Sequence, residues 1–519
     1  MKCVDVKKMQ MNNEEDRLNY VSKEDFDARY SRTVMLILAG LVLIVMYIEG
    51  MLTPSLHSIA LDFNVTSAQV SLLLSAYLVG GVAMTPIMGK LGDIYGKKKV
   101  LSIVLLVYAG AVSVTGFSPD FTFMVISRTV QGIGLTIMPL GMSLMREEFP
   151  KDMVPRAQAL ISAMFGAGFA VSLPLGSLVS NDFGWRMTYH TAIPFVLTLA
   201  IITMVVVRES RFRRPDTKID YVGASLLAAS LALFVFALSE APSWGWISYG
   251  TLSMIGAGAI LIIPLVLFER RYSRMGGEPI LDFRLLSYRN VMVANIVLSI
   301  SGMGMFLAMQ ALTYRFELPN PAGYGKSILY TGISLVPFAI GMLVFAPITG
   351  RMVSRIGVKP LAIIGSVISG AGFILESVFH SYDQMLMFEF ITGGGLSIMN
   401  ASLINLIVLT VNPKDMGLAT AMNGTFRNVG SSIGAPIAGS IMATVSALYV
   451  VGNSPLGPVY VSMPTSYAFS YIFLIAGAAF AVAAILSLLA REVLGSRAGS
   501  LTSRRAPIKE ADKKNIEKL

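Results

Sequence analysis

The sequence predicts an all-α polytopic membrane protein, and three observations carry that prediction. Only 14% of its 519 residues are charged and its mean hydropathy is +0.66, whereas a soluble domain carries about 25% charge. Apolar runs of about 18 or more residues recur along the whole length, each long enough to cross a ~30 Å hydrocarbon core as a helix. The gaps between these runs alternate between lysine- and arginine-rich and nearly free of basic residues, as the positive-inside rule requires of short loops.

Taken in order, the predicted spans are 34–53, 68–88, 100–117, 122–145, 157–180, 189–207, 221–239, 248–268, 291–314, 327–349, 360–379, 385–410, 420–445 and 467–490. The basic residues test this set of fourteen. With the N-terminus inside, only Arg186, Arg315 and Lys326 of the 41 lysines and arginines fall in outer loops, and only Arg128 and Arg427 fall inside spans. A missed span would scramble the alternation from that point onward. Trp185, Trp244 and Trp246 fall in predicted outer loops, where interfacial anchors belong. A multi-pass protein of the cell membrane with both termini cytoplasmic is therefore expected, and the net charge of +10 reports topology rather than nucleic-acid binding. The leader ahead of span 1 mixes basic and acidic residues with no apolar run, so it does not read as a signal peptide. The single cysteine, Cys3, excludes an internal disulfide framework and reads as incidental.

The chain divides into a cytoplasmic leader (1–33), a first six-helix bundle (34–207), two extra spans with basic cytoplasmic linkers (208–290), a second six-helix bundle (291–490) and a basic cytoplasmic tail (491–519). A repeat supports the two bundles. PIMGKLGDIYG, Pro86 to Gly96, recurs about 260 residues later as PITGRMVSRIG, Pro347 to Gly357. Repeated helical bundles are the architecture of secondary transporters, which rock one half against the other. Topology explains the lysines of the first copy; its aspartate and glycines read as a cytoplasmic latch. Gly89, Lys90, Gly92, Asp93, Gly96 and Lys97 form the first copy, with Gly350, Arg351 and Gly357 in the second. Glycines let backbones approach closely and take positive φ, and an aspartate facing a basic partner is a contact that can form and break. Ser354 replaces the aspartate in the second copy, so the two latches are not equivalent.

With these segments in view, the chain resembles the major facilitator superfamily, and within it the fourteen-span drug:proton antiporters. GKLGDIYGKKK (Gly89 to Lys99) resembles the loop 2–3 motif of that family, and RTVQGIG (Arg128 to Gly134) its arginine-and-glycine motif in span 4, with Arg128, Gln131, Gly132 and Gly134 in the motif positions. GWRMTYHTAIP (Gly184 to Pro194), IDYVG (Ile219 to Gly223), SWGW (Ser243 to Trp246) and FRNVGSSIGAPIAG (Phe426 to Gly439) resemble its segments at spans 6, 7, 7–8 and 13. The resemblance implies a major-facilitator fold of two six-helix bundles plus two inserted central helices, and a role for Arg128 in coupling protonation to helix movement. Two departures stand out. The Gly-Pro pair usual in span 5 of antiporters is Leu173-Pro174 here, and the usual aspartate of span 1 is Glu49.

Three acidic residues fall well inside spans: Glu49, Glu376 and Glu389. A charge at the bilayer midplane costs about 2.5–3.5 kcal/mol on insertion scales, so such residues are functional candidates by default. Glu49 in span 1 is the candidate proton carrier, against the alternative of a structural hydrogen bond. Glu376 and Glu389 sit near outer span ends, where contact with water competes with a proton- or cation-binding role. Arg128 and Glu49, with Glu376 and Glu389, form the candidate proton-coupling set. Asn295, Gln310, Asn400, Asn405 and Arg427 are candidates to line a cavity, though the amides could equally join helices by hydrogen bonds. His57, His190 and His380 read as independent interfacial residues.

The chain shows no metal-ligand spacing, phosphate loop or nucleophile constellation, so an enzyme, a cofactor and a bound metal are not expected, and neither is nucleic acid. The expected function is a secondary active transporter, exporting small amphipathic or cationic compounds in exchange for protons and working as a monomer in the lipid bilayer. Two alternatives remain: a dedicated exporter of one metabolite on the same fold, and a non-transporting membrane sensor. The 31 methionines fit a repackable binding wall, yet membrane helices are rich in such residues in any case.

Overall fold

The computed structural model describes residues 27–149, 153–210, 213, 218–412, 415–454 and 457–493. A helix stands at each of the fourteen expected spans. Twelve of the helical segments are long and apolar enough to cross a membrane by length and composition alone. Of the other two, span 5 (Val154–Phe183) holds no charged residue over 160–177, and span 13 (Met416–Thr444) is as long but carries more polar residues. Span 13 holds Asn423, Arg427, Asn428 and a run of serines. A helix that faces other helices can carry such residues, because protein and not hydrocarbon meets them.

The two bundles are built alike. In the first, span 1 (Ala28–Gly50) packs along span 5, span 2 (Leu72–Tyr95) along span 4 (Phe121–Gln131 and Ile137–Glu148), and span 3 (Lys97–Thr115) along span 6 (Trp185–Val206). In the second, span 9 (Arg289–Glu317) packs along span 13, span 10 (Val336–Ile356) along span 12 (Tyr382–Thr410), and span 11 (Val358–Val378) along span 14 (Ser466–Leu488). The pairing 1–5, 2–4, 3–6 thus recurs as 9–13, 10–12, 11–14. Between the bundles, span 2 meets span 13 and span 5 meets the start of span 10 (Ile328–Ser334).

The inserted spans 7 (Tyr221–Trp244) and 8 (Tyr249–Arg274) form a hairpin on the flank. Span 7 lies across the line where spans 2 and 13 meet. Its Leu227, Leu231 and Val235 share a small apolar core with Leu72, Val79 and Val82 of span 2, flanked by Val429 and Ile433 of span 13. Glu240 accepts two hydrogen bonds from Gln69 Nε2 at 3.1 and 3.3 Å, and the Leu238 carbonyl accepts one from Ser440.

Two features depart from the sequence expectation. Residues between spans 13 and 14 form an antiparallel hairpin, β1 (Ser446–Ser454) with β2 (Gly457–Pro464), where only a loop was expected. Trp185 is not an exposed anchor like Trp244 and Trp246. It is 5% exposed, and its indole N–H donates to Asp62 at 3.1 Å. The leader to residue 26, with Cys3, and the tail from residue 494 lie outside the described residues.

Candidate functional site

Span 4 is where the fold bends to make a site. Its α-helix ends at Gln131, runs as a 3-10 helix over Gly132–Thr136, and resumes at Ile137. The glycines explain the closeness of the neighbouring spans. A Cβ on Gly132 would sit 2.3 Å from the Tyr77 carbonyl oxygen of span 2, and one on Gly134 would strike the Tyr108 ring of span 3 at 2.5 Å. This close packing buries Arg128 completely. Its Nε donates to the Leu73 carbonyl at 3.1 Å, one terminal nitrogen donates to Gln131 Oε1 at 3.2 Å, and the guanidinium lies 4.9 Å from the Tyr77 ring centroid. Gln131 donates onward to Thr115. The other terminal nitrogen of Arg128 has no hydrogen-bond partner among the described residues, nor has Glu49 Oε2.

Glu49 is 7% exposed and lies within electrostatic reach of two arginines, Arg128 from its own bundle and Arg427 from the other. Glu49 and Arg427 face one cavity between the bundles. Met46, Leu78, Leu135 and Phe169 line it from the first bundle, and Ser301, Met305, Phe306, Met342, Asn400, Asn428 and Ser431 from the second. Of the polar residues expected to line a cavity, Asn400 and Arg427 do so. The rest are drawn into helix contacts. Asn295 is fully buried and accepts from Asn423 at 3.1 Å, Gln310 donates to the Ser67 carbonyl at 3.3 Å, and Asn405 donates to the Ala401 carbonyl one turn back at 2.7 Å.

Glu376 and Glu389 need correction on one point. Neither reaches water: their exposures are 1% and 0%. The loop after span 9 folds over them. Tyr324 donates to the His380 carbonyl at 2.8 Å and packs against Tyr382, and Lys326 lies 4.2 Å from the Tyr382 ring centroid. The two carboxyls interact with each other. Thr392 donates to Glu376 Oε1 at 3.0 Å, while the other Glu376 oxygen and both Glu389 oxygens find no partner among the described residues. The pair does not line the central cavity.

The latch segment has more parts than the motif showed. Lys97 is buried and donates to Glu147, at the end of span 4, at 2.5 Å; Asp93 stands at 3.6 Å. Lys90 pairs with Glu278 in the segment after span 8. Gly96 turns the chain at φ +109°, and Glu209, just past span 6, accepts the backbone N–H groups of Lys98 at 3.1 Å and Lys99 at 3.2 Å. The second bundle repeats this turn. Gly357 has φ +97°, and Glu492, just past span 14, accepts from the N–H groups of Val358 at 3.3 Å and Lys359 at 3.0 Å. A carboxylate at a helix N-terminus satisfies amides that have no intrahelical partner. Each bundle ends in an Arg-Glu pair, Arg208-Glu209 and Arg491-Glu492, a signal that sequence reading passed over. The side chain of Ser354, opposite number of Asp93, lies outside the described residues. His57, His190 and His380 do not cluster; His57 meets Tyr314 edge-on and His190 lies tilted against Phe117.

At the end away from the lysine loop, four hydrogen bonds among the described residues join the bundles. Ser58 donates to Glu317 at 3.3 Å, Ser67 to the Gly439 carbonyl at 3.2 Å, Gln310 to the Ser67 carbonyl at 3.3 Å, and Ser177 to the Leu329 carbonyl at 3.4 Å. At the lysine end the matched glycines Gly89 and Gly350 face open space: a Cβ on either would meet nothing within 4 Å among the described residues.

Comparison with known proteins agrees with this architecture. The profile of the Major Facilitator Superfamily matches residues 38–314 and 291–516. The chain belongs to that superfamily and is a multi-pass membrane transporter. It is 25% identical over 392 residues to the tetracenomycin C resistance and export protein of Streptomyces glaucescens, covering 74% of this chain and 70% of that one. It is 24% identical over 375 residues to the multidrug transporter protein MdtP of Bacillus subtilis, covering 71% and 68%. It is 25% identical over 421 residues to the multidrug resistance protein Stp of Mycobacterium tuberculosis, covering 80% and 76%. Among solved structures the nucleoside transporter NupG shares the fold with a TM-score of 0.61 at 13% identity, covering 88% of this chain and 99% of NupG.

Proposed function

We propose that this protein is a proton-coupled antiporter of the cell membrane that exports small amphipathic or cationic compounds by alternating access, as a monomer with its lysine end and both termini cytoplasmic. One observation carries the reading. A buried carboxylate, Glu49, stands between a guanidinium of its own bundle and one of the other, on the wall of the cavity the bundles share. Ionised, Glu49 attracts Arg427 across the cavity and holds the bundles together at that depth. A proton on Glu49 removes that attraction, so the protonation state biases which end opens. Closure at the far end beside open space at Gly89 and Gly350 supports reading this conformation as one open to the cytoplasm. Two guanidinium groups around one carboxylate favour uncharged amphipaths over cations within the proposed range. The lysine turn, with Lys97 between Asp93 and Glu147, serves as the latch of the first bundle.

Names among the relatives support drug transport: one is a multidrug transporter, one a multidrug resistance protein, and the third a tetracenomycin C resistance and export protein. The third favours a second reading, a dedicated exporter of one compound. Both are tested in proteoliposomes. A panel of unrelated amphipaths, charged and uncharged, is added to one side and proton movement is followed for the wild type and for Glu49→Gln. Proton release with several compounds, lost in Glu49→Gln, is the expected result. A response to a single compound selects the dedicated exporter. Undiminished proton movement in Glu49→Gln removes Glu49 as the carrier and overturns the mechanism.

A further inference from the structure

The β1–β2 hairpin takes no part in the mechanism above, and its composition is unusual for a segment that leaves the membrane. From Asn428 to Ala490 the chain holds no Asp, Glu, Lys, Arg or His. The hairpin is therefore uncharged along its whole length. Its two faces differ. Tyr449 and Met463 turn inward onto the core. Leu448, 70% exposed, and Val450, 57% exposed, turn outward, and Val450 pairs across the ladder with Tyr460, 58% exposed. The outward face is thus apolar and aromatic beyond its base, where Ser462 donates to Ser446 at 3.2 Å, unlike the outward face of a hairpin made for water.

Its position is fixed at both ends. β1 follows span 13 directly, and the Thr465 N–H that opens span 14 donates back to the Val445 carbonyl at 3.0 Å. The base of the hairpin therefore lies where two membrane spans end. Beside it stands the turn of the inserted hairpin, joined by a hydrogen bond from Trp246 Nε1 to Thr444 Oγ1 of 3.1 Å. Trp246, Ile247 and Tyr249 of that turn are exposed, as is Tyr467 at the start of span 14. Tyrosine and tryptophan rings have one apolar and one polar end and favour the level of lipid headgroups. A two-stranded sheet also has two open edges. Proteins in water guard such edges with charge, especially lysine, and this one has none.

We propose that the outward face of the β1–β2 hairpin lies in the headgroup–acyl boundary of the bilayer leaflet at the far end, with lipid as its partner. The lipid surface is continuous with the lipid-facing side of span 14, it matches an uncharged apolar-aromatic face, and it removes both edges from water.

The single cysteine makes the test clean. In a Cys3→Ser background, one nitroxide label is placed at Leu448→Cys, Val450→Cys or Tyr460→Cys in the full chain, in nanodiscs of phosphatidylcholine and phosphatidylglycerol. Power saturation then compares accessibility to oxygen, which partitions into lipid, with accessibility to a water-soluble nickel chelate. A label at Ile485→Cys on the exposed side of span 14 sets the lipid value, and one at Asp182→Cys sets the water value. Oxygen preference at 448, 450 and 460, near that at 485, is the expected outcome. Chelate preference at these sites, matching position 182, overturns the proposal. So does dipolar broadening between labels of two protein copies, which would make a second copy the partner. Three sites on two strands guard against one substitution that disturbs folding.

Discussion

The first bundle buries a carboxylate between arginines; the second buries two carboxylates side by side. Glu49 has Arg128 and Arg427 within electrostatic reach. Glu376 and Glu389 have each other, Thr392, and a roof of tyrosines. Arg315 of span 9 donates to the Ala322 carbonyl at 3.0 Å and lies over the faces of Tyr324 and Phe469, while its Nε has no partner among the described residues. The difference teaches what burial does to a charge. A carboxylate with guanidinium neighbours can remain an ion in a dry site, and its protonation then changes the force on those neighbours. Two carboxyls with neither a cation nor donors enough cannot both stay ionised. The first arrangement has two guanidinium groups beside its carboxylate; the second leaves three carboxyl oxygens without a partner among the described residues. The lysine turns repeat the contrast at the surface. Both bundles use a positive-φ glycine and a glutamate cap, but only the first places a buried lysine, Lys97, in the turn; the second has Val358.

The comparison can be broken at several points. The largest effect is expected from Arg128→Met. Removing one partner of a buried charged network costs about 3–5 kcal/mol, read as a lower thermal unfolding midpoint in detergent, and the double variant Glu49→Gln/Arg128→Met should recover part of that loss. A single variant as stable as wild type would sink the ion-network reading. Next comes Lys97→Met, which takes the buried ammonium away from Glu147 and should cost about 3 kcal/mol; Lys359→Met, on a residue that offers its backbone N–H to the cap, should change little. Gly96→Ala and Gly357→Ala sharpen the symmetry. Each forces a side chain into positive φ, at about 1–3 kcal/mol, and each would press a Cβ against its capping glutamate. Similar losses are expected, and a loss confined to one bundle would mean that the turns are alike in shape only. The smallest effect belongs to Glu389→Gln, with stability changed by about 1 kcal/mol or less and proton movement retained. Loss of proton movement there, with Glu49 intact, would reverse the roles assigned to the two bundles.

Much of the fold was legible because membrane spans advertise themselves by length and by the charges that bound them. The fourteen helices followed from that, and the bundle repeat followed from Pro86–Gly96 and Pro347–Gly357. Arg128 and Glu49 were legible for the same reason: an ion in an apolar run has to be explained. Burial was harder to read. Glu376 and Glu389 lie near span ends, and nothing local shows that residues 318–327 close over them. Trp185 falls near an expected loop, and its burial comes from tertiary partners, Asp62 on its N–H and Phe63 against its ring. Glu147, Glu209 and Glu492 were missed because an acidic residue just past a span looks like ordinary loop polarity until its amide or lysine partner is seen. The strands β1 and β2 had a local signal, Leu-Tyr-Val-Val and Val-Tyr-Val around Pro455 and Gly457, which a search for long apolar runs passes over.

Span 7 covers the line where spans 2 and 13 meet, with its apolar side on both and hydrogen bonds to Gln69 and Ser440 at its far end. On that flank, a greasy molecule dissolved among the lipid tails meets the inserted helix before it meets the join between the bundles. The two additional spans thus act as a wall, closing one sideways route from the bilayer to the central cavity.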